Sequence, residues 1–226
     1  MKNLFLILTF SLFCINVVES QTVEVLFEMN RDGTEVQKKL NQLNSNTLKA
    51  SQKAFLKKIV EDQKKSKHYF KFIVSNQKSS YLYQTSDVPE GSSARFSSFD
   101  YYKDFNKNVY MMISSRTKSD EKIEEKLLTH SDWQIDNSSQ QTICGFPTIK
   151  AIHKKENIIA WFSLKIPISD GPENYSGLPG MILQMEFLDQ GKTIKAKEIK
   201  QKQSNTSIDL PNRKKVISLE KMKKKN

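Results

Sequence analysis

Cysteine, histidine and arginine are scarce in this chain of 226 residues, and each scarcity removes a class of explanation. Only Cys14 and Cys144 are cysteines, so a disulfide framework is excluded, as is a Cys-x-x-Cys metal or redox motif. The three histidines, His68, His130 and His153, stand among lysines and polar residues and form no His-Glu-x-x-His pair. Cys144 has no histidine beside it in sequence to make it a nucleophile, and reads as a small buried hydrophobe. A nucleophile elbow, Gly-x-Ser-x-Gly, and a glycine-rich phosphate loop are also missing. No catalytic residue, metal or cofactor is expected, and the chain reads as a non-enzyme.

The arginines are Arg31, Arg95, Arg116 and Arg213, so lysine supplies nearly all of a formal net charge of +11. Sequence-specific readers of nucleic acid favour the arginine fork for guanine and phosphate. Scattered lysines mixed with Asp and Glu describe a solvated surface instead, and no nucleic-acid partner is expected. The densest basic segment is the end, Arg213-Lys214-Lys215 and Lys221 to Lys225, with Val216, Ile217, Leu219 and Met222 interleaved. Residues 204–226 read as a basic tail, frayed or lying on an acidic surface as a short amphipathic helix.

Long apolar runs are equally rare. The exception is Leu4 to Ile15, which follows Lys2 and precedes the small-residue stretch Val18-Glu19-Ser20. That order is the pattern of a secretory signal over residues 1–20, with Gln21 as the first mature residue. The run is short for a membrane span, which needs about 20 residues, and Phe13 before Cys14 argues against a lipoprotein. The expected product is exported, periplasmic or secreted, carries Cys144 as its one cysteine, and has no later transmembrane segment. Residues 21–203 read as one domain, large enough to bury a core.

What the chain does contain is alternation. Residues 22–29 place Val23, Val25 and Phe27 on one face of a first strand. Between about 34 and 66, Val36, Leu40, Leu43, Leu48, Phe55, Leu56, Ile59 and Val60 recur at helical spacing and predict one or two helices. The period then returns to two. Tyr69, Phe70, Phe72 and Val74 lead through Ser75-Asn76-Gln77-Lys78 to Tyr81, Leu82 and Tyr83 as a hairpin. Residues 100–105 pair with 109–113. Further strands are predicted around 123–128, 133–135, 142–146, 148–152, 158–164, 181–188 and 193–199, with Asp136-Asn137-Ser138-Ser139 as a turn. The fold class is mainly β (α+β): one curved antiparallel meander packed on one or two N-terminal helices. In order of elements it is similar to the LolA-like half-barrels, which carry lipid-linked cargo. Phe70, Phe72, Tyr81, Tyr83, Tyr101, Tyr102 and Tyr110 would form its core or line an apolar cavity.

Glycine and proline number only seven and six, yet Gly171, Pro172, Gly177, Pro179 and Gly180 crowd into residues 171–183. Pro179 and Gly180 predict a type II turn, with Gly180 at positive φ. On that reading Gly180→Val would strain the backbone by well over about 1 kcal/mol. Asp170 and Glu173 flank Gly171-Pro172 as a candidate acid pair or cation site. A calcium site needs roughly six oxygens, and two carboxylates capping loop amides or facing water is the plainer expectation. Asn137-Ser138-Ser139, Asn174-Tyr175-Ser176 and Asn205-Thr206-Ser207 match the glycosylation acceptor pattern by chance.

Ala160-Trp161-Phe162-Ser163, Ile166-Pro167-Ile168, Gly171-Pro172, Tyr175 and Gly177-Leu178-Pro179-Gly180-Met181-Ile182-Leu183 together resemble the GLPGLI family, best over residues 133–188. Met181 stands where the family name has leucine. The resemblance implies an exported Bacteroidota protein of unknown function with no agreed catalytic residues. Trp161, Gly171, Pro172, Tyr175, Gly177, Leu178, Pro179 and Gly180 are the candidate functional loop, expected to shape the rim of a site. The partner implied is a hydrophobic ligand or another envelope protein. The alternative is an accessory or structural envelope protein with no small-molecule pocket, and a hydrolase using Asp170 or Glu173 is the remotest.

Overall fold

The computed structural model describes residues 21–42, 48–92, 96, 98–114, 124–128, 132–204 and 206–211. Residues 1–20, read above as a secretory signal, His130, Asn205 and the basic run from Arg213 onward lie outside them. The described residues form strands β1 (Thr22–Arg31), β2 (Lys67–Ser75), β3 (Lys78–Asp87), β4 (Phe99–Asp104), β5 (Val109–Ser114), β6 (Glu124–Leu127), β7 (Trp133–Ile143), β8 (Phe146–His153), β9 (Ile158–Ser163), β10 (Met181–Phe187) and β11 (Lys192–Lys202). Helices α1 (Thr34–Gln42) and α2 (Ala50–Lys65) lie between β1 and β2.

All eleven strands join one sheet in the order β6-β5-β4-β3-β2-β1-β11-β10-β9-β8-β7, and every pairing is antiparallel. The mainly β meander read from the sequence is therefore the fold. The first and last strands pair in the middle of the sheet, and the two edges are β6 and β7. These edges are consecutive in sequence, separated only by residues 128–132. An extended chain gains at most about 3.6 Å per residue, so the edges stand no more than roughly 20 Å apart at that end. The sheet is an up-and-down meander curled on itself and open along one seam.

Alternation explains the curl. Val23, Val25, Phe27 and Met29 on β1 are buried, as are Phe70, Phe72 and Val74 on β2. They share one core with Ile143, Ala151, Ala160, Phe162, Met185, Phe187, Ile194 and Ala196 from the other half of the sheet. The opposite face of β1 carries Glu24, between Lys71 (3.5 Å) and Lys202 (2.9 Å), and Glu28, between Lys67 (3.7 Å) and Lys197 (3.8 Å). Of the predicted aromatics, Phe70 and Tyr81 stack with ring centroids 4.6 Å apart, and Tyr83 and Tyr101 pack against the same core.

The turns depart from expectation at two places. Asn76 and Gln77, as predicted, reverse the chain, both at positive φ (50° and 59°). Cys144 and Gly145 do the same (50° and 82°), joining β7 to β8 in a tight hairpin whose twist matches the strands. Cys144 is consequently exposed at a hairpin tip and is not a buried hydrophobe. Residues 136–139, expected to turn, instead interrupt the register within β7, where Asp136 Oδ1 accepts from the Ser138 amide (3.1 Å). The unpaired edge is thereby bulged.

The two helices form where the period predicts, but they cover little of the sheet. No residue of α1 is buried, and Val60 is the one buried apolar side chain of α2. Val60 packs on Gly33, where a Cβ would lie 2.6 Å from Val60 Cγ1. Phe55 in the predicted stripe is 53% exposed. Among the described residues no helix is long and apolar enough to cross a membrane.

Gly180 does not adopt positive φ, so the type II turn reading is overturned. A Cβ there would collide with the carbonyl of Ser163, meeting its carbon at 2.7 Å and its oxygen closer still. Glycine is required by close approach of two backbones. Gly180→Ala should cost about 1–3 kcal/mol or more in urea unfolding, because the obstructing atoms are backbone and cannot rotate away. A second expectation concerns His68, buried between Ser86 and a stacked Phe96 ring. Burial, aided by Arg31, lowers its pKa from 6.5 to about 4. The unfolded chain takes up this proton first, so the stability is complete above about pH 6.5 and declines toward 4. The loss should be about 1–2 kcal/mol between pH 7 and pH 5, and His68→Phe should flatten that slope.

Candidate functional site

Residues 164–180 connect β9 to β10 and contain the glycine–proline motif. They fold over the inner face of the curled sheet, where Ile166 and Leu178, at 0% and 1% exposure, enter the same core as Phe27 and Phe72. The segment is tied to its own flanks. Met181 N donates to Ile166 O (3.0 Å), Ile182 N to Asp170 O (2.9 Å), and Asp170 and Ser176 form an isolated antiparallel bridge. Gly177, at φ +93°, supplies the left-handed residue that the sequence reading gave to Gly180. At Gly171 a Cβ would meet Ile182 Cβ at 2.7 Å, which fixes glycine there too.

The attachment to the far side of the sheet is ionic. Lys103 on β4 points inward, 1% exposed, and its ammonium group reaches across to the loop. It donates to the carboxylate Oδ1 of Asp170, to Gly171 O (2.8 Å) and to Tyr175 O (3.0 Å). An ammonium has three N–H donors, and all are used. Asp170 Oδ1 also accepts from the Gly171 amide (2.7 Å). Burial pulls the pKa of Lys103 below its ordinary value, and Asp170 acts against that pull. A second lysine, Lys192 on β11, donates to Glu173 Oε1 (2.8 Å) and lies over the Phe187 ring (3.6 Å). Asp170 and Glu173 are thus each matched to a lysine, Lys103 and Lys192 respectively.

Tyr175 is half-buried and reaches from the motif toward the surface. Its ring meets Trp133, His153 and Phe187, and its hydroxyl donates to Glu156 Oε2 (2.8 Å). Burial, then this carboxylate, raises its pKa. Trp133 Nε1 donates to Ser176 O (2.9 Å), pinning the loop to the edge strand β7. A groove of about 300 Å³ beside it is lined by Lys155, Glu156, Asn157, Phe187, Asp189 and Gln190, among others.

The predicted site residues thus separate by burial. Gly171, Pro172, Leu178 and Gly180 are interior, Gly177 and Pro179 are exposed, and Tyr175 is between. Trp161 stands apart on β9, where its Nε1 donates to Glu186 (3.1 Å). Lys103, Lys192 and Glu156 were missed. The available signal for Lys103 was its parity with Tyr101 on β4, which puts a lysine on the inner face. Among the described residues no group of three or more His, Cys, Asp or Glu side chains is placed to hold a metal ion.

Removing one partner of a buried pair leaves the other charge uncompensated. Lys103→Met should therefore cost about 3–5 kcal/mol in urea unfolding. The double variant Lys103→Met/Asp170→Asn should be markedly less destabilised than the sum of the single changes.

A family model described as "Protein of unknown function (Porph_ging)" matches residues 101–184, which span β4 to β10 and include Lys103, the loop and its motif. No curated protein matches the chain. Two solved structures of PNGF-II, in space groups P21 and C2, are similar in fold. Their TM-scores are 0.53 and 0.55, both at 13% identity, over 90% and 91% of this chain. The chain spans 32% of the length of the PNGF-II chain in each. At that identity the likeness concerns the fold alone.

Proposed function

We propose that this chain is an exported, GLPGLI-type envelope protein that acts without catalysis, by binding another envelope protein. The observation that carries the reading is the position of the loop. Residues 164–180 pack on the inner side of the curled sheet, and Ile166, Leu178 and the Lys103–Asp170 pair are buried there, on the side a carrier would need for an acyl chain. A hydrophobic ligand, the other arm of the expectation, would have to displace that packed segment. Recognition then falls to the outer surface, and we assign it to the groove lined by Glu156, Asn157, Asp189 and Gln190, next to Tyr175, whose hydroxyl bonds to Glu156. The Asp170 carboxylate is buried, and its Oδ1 is held by Lys103 and the Gly171 amide, which disfavours its use in hydrolysis.

Native mass spectrometry of the exported chain, purified gently, should give the mass of the chain from Gln21 with no lipid, and fluorescent fatty acid should not be taken up. Photocrosslinkers placed at Glu156 and Gln190 should capture one protein of reproducible mass in cells, whereas a crosslinker on the outer face at Lys71 should not. Stoichiometric lipid in the spectrum would restore the carrier reading.

A further inference from the structure

Buried polar atoms on the underside of the loop lack partners within the protein. Asp170 Oδ2 and Ser176 Oγ are buried and have no hydrogen-bond partner within the protein. On the sheet beneath, Ser79 Oγ and Tyr81 Oη are in the same condition. All four residues are at most 2% exposed.

Register brings these residues to the same junction. Ser79 is directly opposite Lys103 in the β3–β4 pairing, and Tyr81 is opposite Tyr101. Paired residues share a face of the sheet, and so do residues two apart, so Ser79, Tyr81 and Lys103 all face inward. Lys103 bonds to Asp170, whose bridge partner is Ser176. Directly opposed residues have Cβ atoms about 4.5–5.5 Å apart, so Ser79 borders the stem of Lys103 and Ser176 borders Asp170. The four residues therefore lie on the two walls of the loop–sheet junction that Lys103 spans.

Their chemistry indicates what completes them. An ionised carboxylate oxygen only accepts, while each hydroxyl both donates and accepts. A guest bridging them must donate and accept in several directions and must be small enough for a packed interior. Buried polar groups that lack protein partners are commonly met by internal water making about three hydrogen bonds. We propose that ordered water molecules occupy this junction, bridging Asp170 Oδ2 and Ser176 Oγ of the loop to Ser79 Oγ and Tyr81 Oη of the sheet. The loop is then seated on the sheet through a hydrated polar bed centred on Lys103, with apolar contacts at Ile166 and Leu178.

A crystal structure of the full exported chain, at a resolution that shows ordered solvent, tests this directly. Density is expected within hydrogen-bond distance of Asp170 Oδ2 and Ser176 Oγ. Thermal melts of Tyr81→Phe and Ser176→Ala give an independent sign. A hydroxyl bonded to internal water is lost at a cost, and Tm should fall by about 2–4 °C in each variant. A hydroxyl with no partner at all is better replaced by an apolar group, and Tm would hold or rise. A dry junction in the density, or a Tm that holds or rises in both variants, overturns the proposal.

Discussion

The ion pair between Lys103 and Asp170 is the constraint on which the rest of the molecule rests. Two charges at 1% and 0% side-chain exposure carry a large desolvation cost, and they are tolerable only while they remain paired. Lys103 meets this condition by spending all three donors on the loop. The sheet therefore cannot uncurl, and the loop cannot lift, without exposing or stranding a charge. A purely apolar seat could slide with little loss. The ammonium cannot, because its three acceptors fix the position of residues 170–175 relative to β4.

The glycine–proline motif follows from this arrangement. A segment lying between two faces of a curled sheet has little room for side chains. Gly180 lets the chain pass the Ser163 carbonyl, Gly171 leaves space for Ile182, and Gly177 turns the backbone through positive φ. The motif is a description of a narrow passage, and its exposed remnants, Gly177 and Pro179, are the outer corners of that passage. Tyr175 is the residue through which the buried loop communicates with the surface, since one end of its ring meets Phe187 and the hydroxyl reaches Glu156.

The outer surface obeys a different rule. On β1 each outward glutamate is shared between lysines of both neighbouring strands, which keeps a lysine-rich sheet face soluble without burying charge. Such exposed pairs contribute little stability individually. Their role is to keep the two faces chemically distinct, so that a one-residue slip of register would place lysine in the core. The family match over residues 101–184 covers the part of the chain that contains both the loop and the lysine that seats it. The similarity to PNGF-II extends over nearly the whole chain and concerns architecture.

Much of the architecture was legible in the amino-acid sequence because it is written locally. A strand announces itself through alternation over a few residues, as at Val23, Val25 and Phe27, and a reversal through residues that accept positive φ, as at Asn76. The two helices were legible for the same reason. The tertiary structure alone decided that β1 pairs with β11, that the helical stripe covers so little, and that Asp170 is matched by a lysine 67 residues away. Each depends on which distant surfaces meet once the sheet curls, and no local pattern encodes that. Gly180 shows the boundary most plainly: its necessity could be read from the chain, but the physical reason, the approach of the Ser163 carbonyl, exists only in the folded molecule.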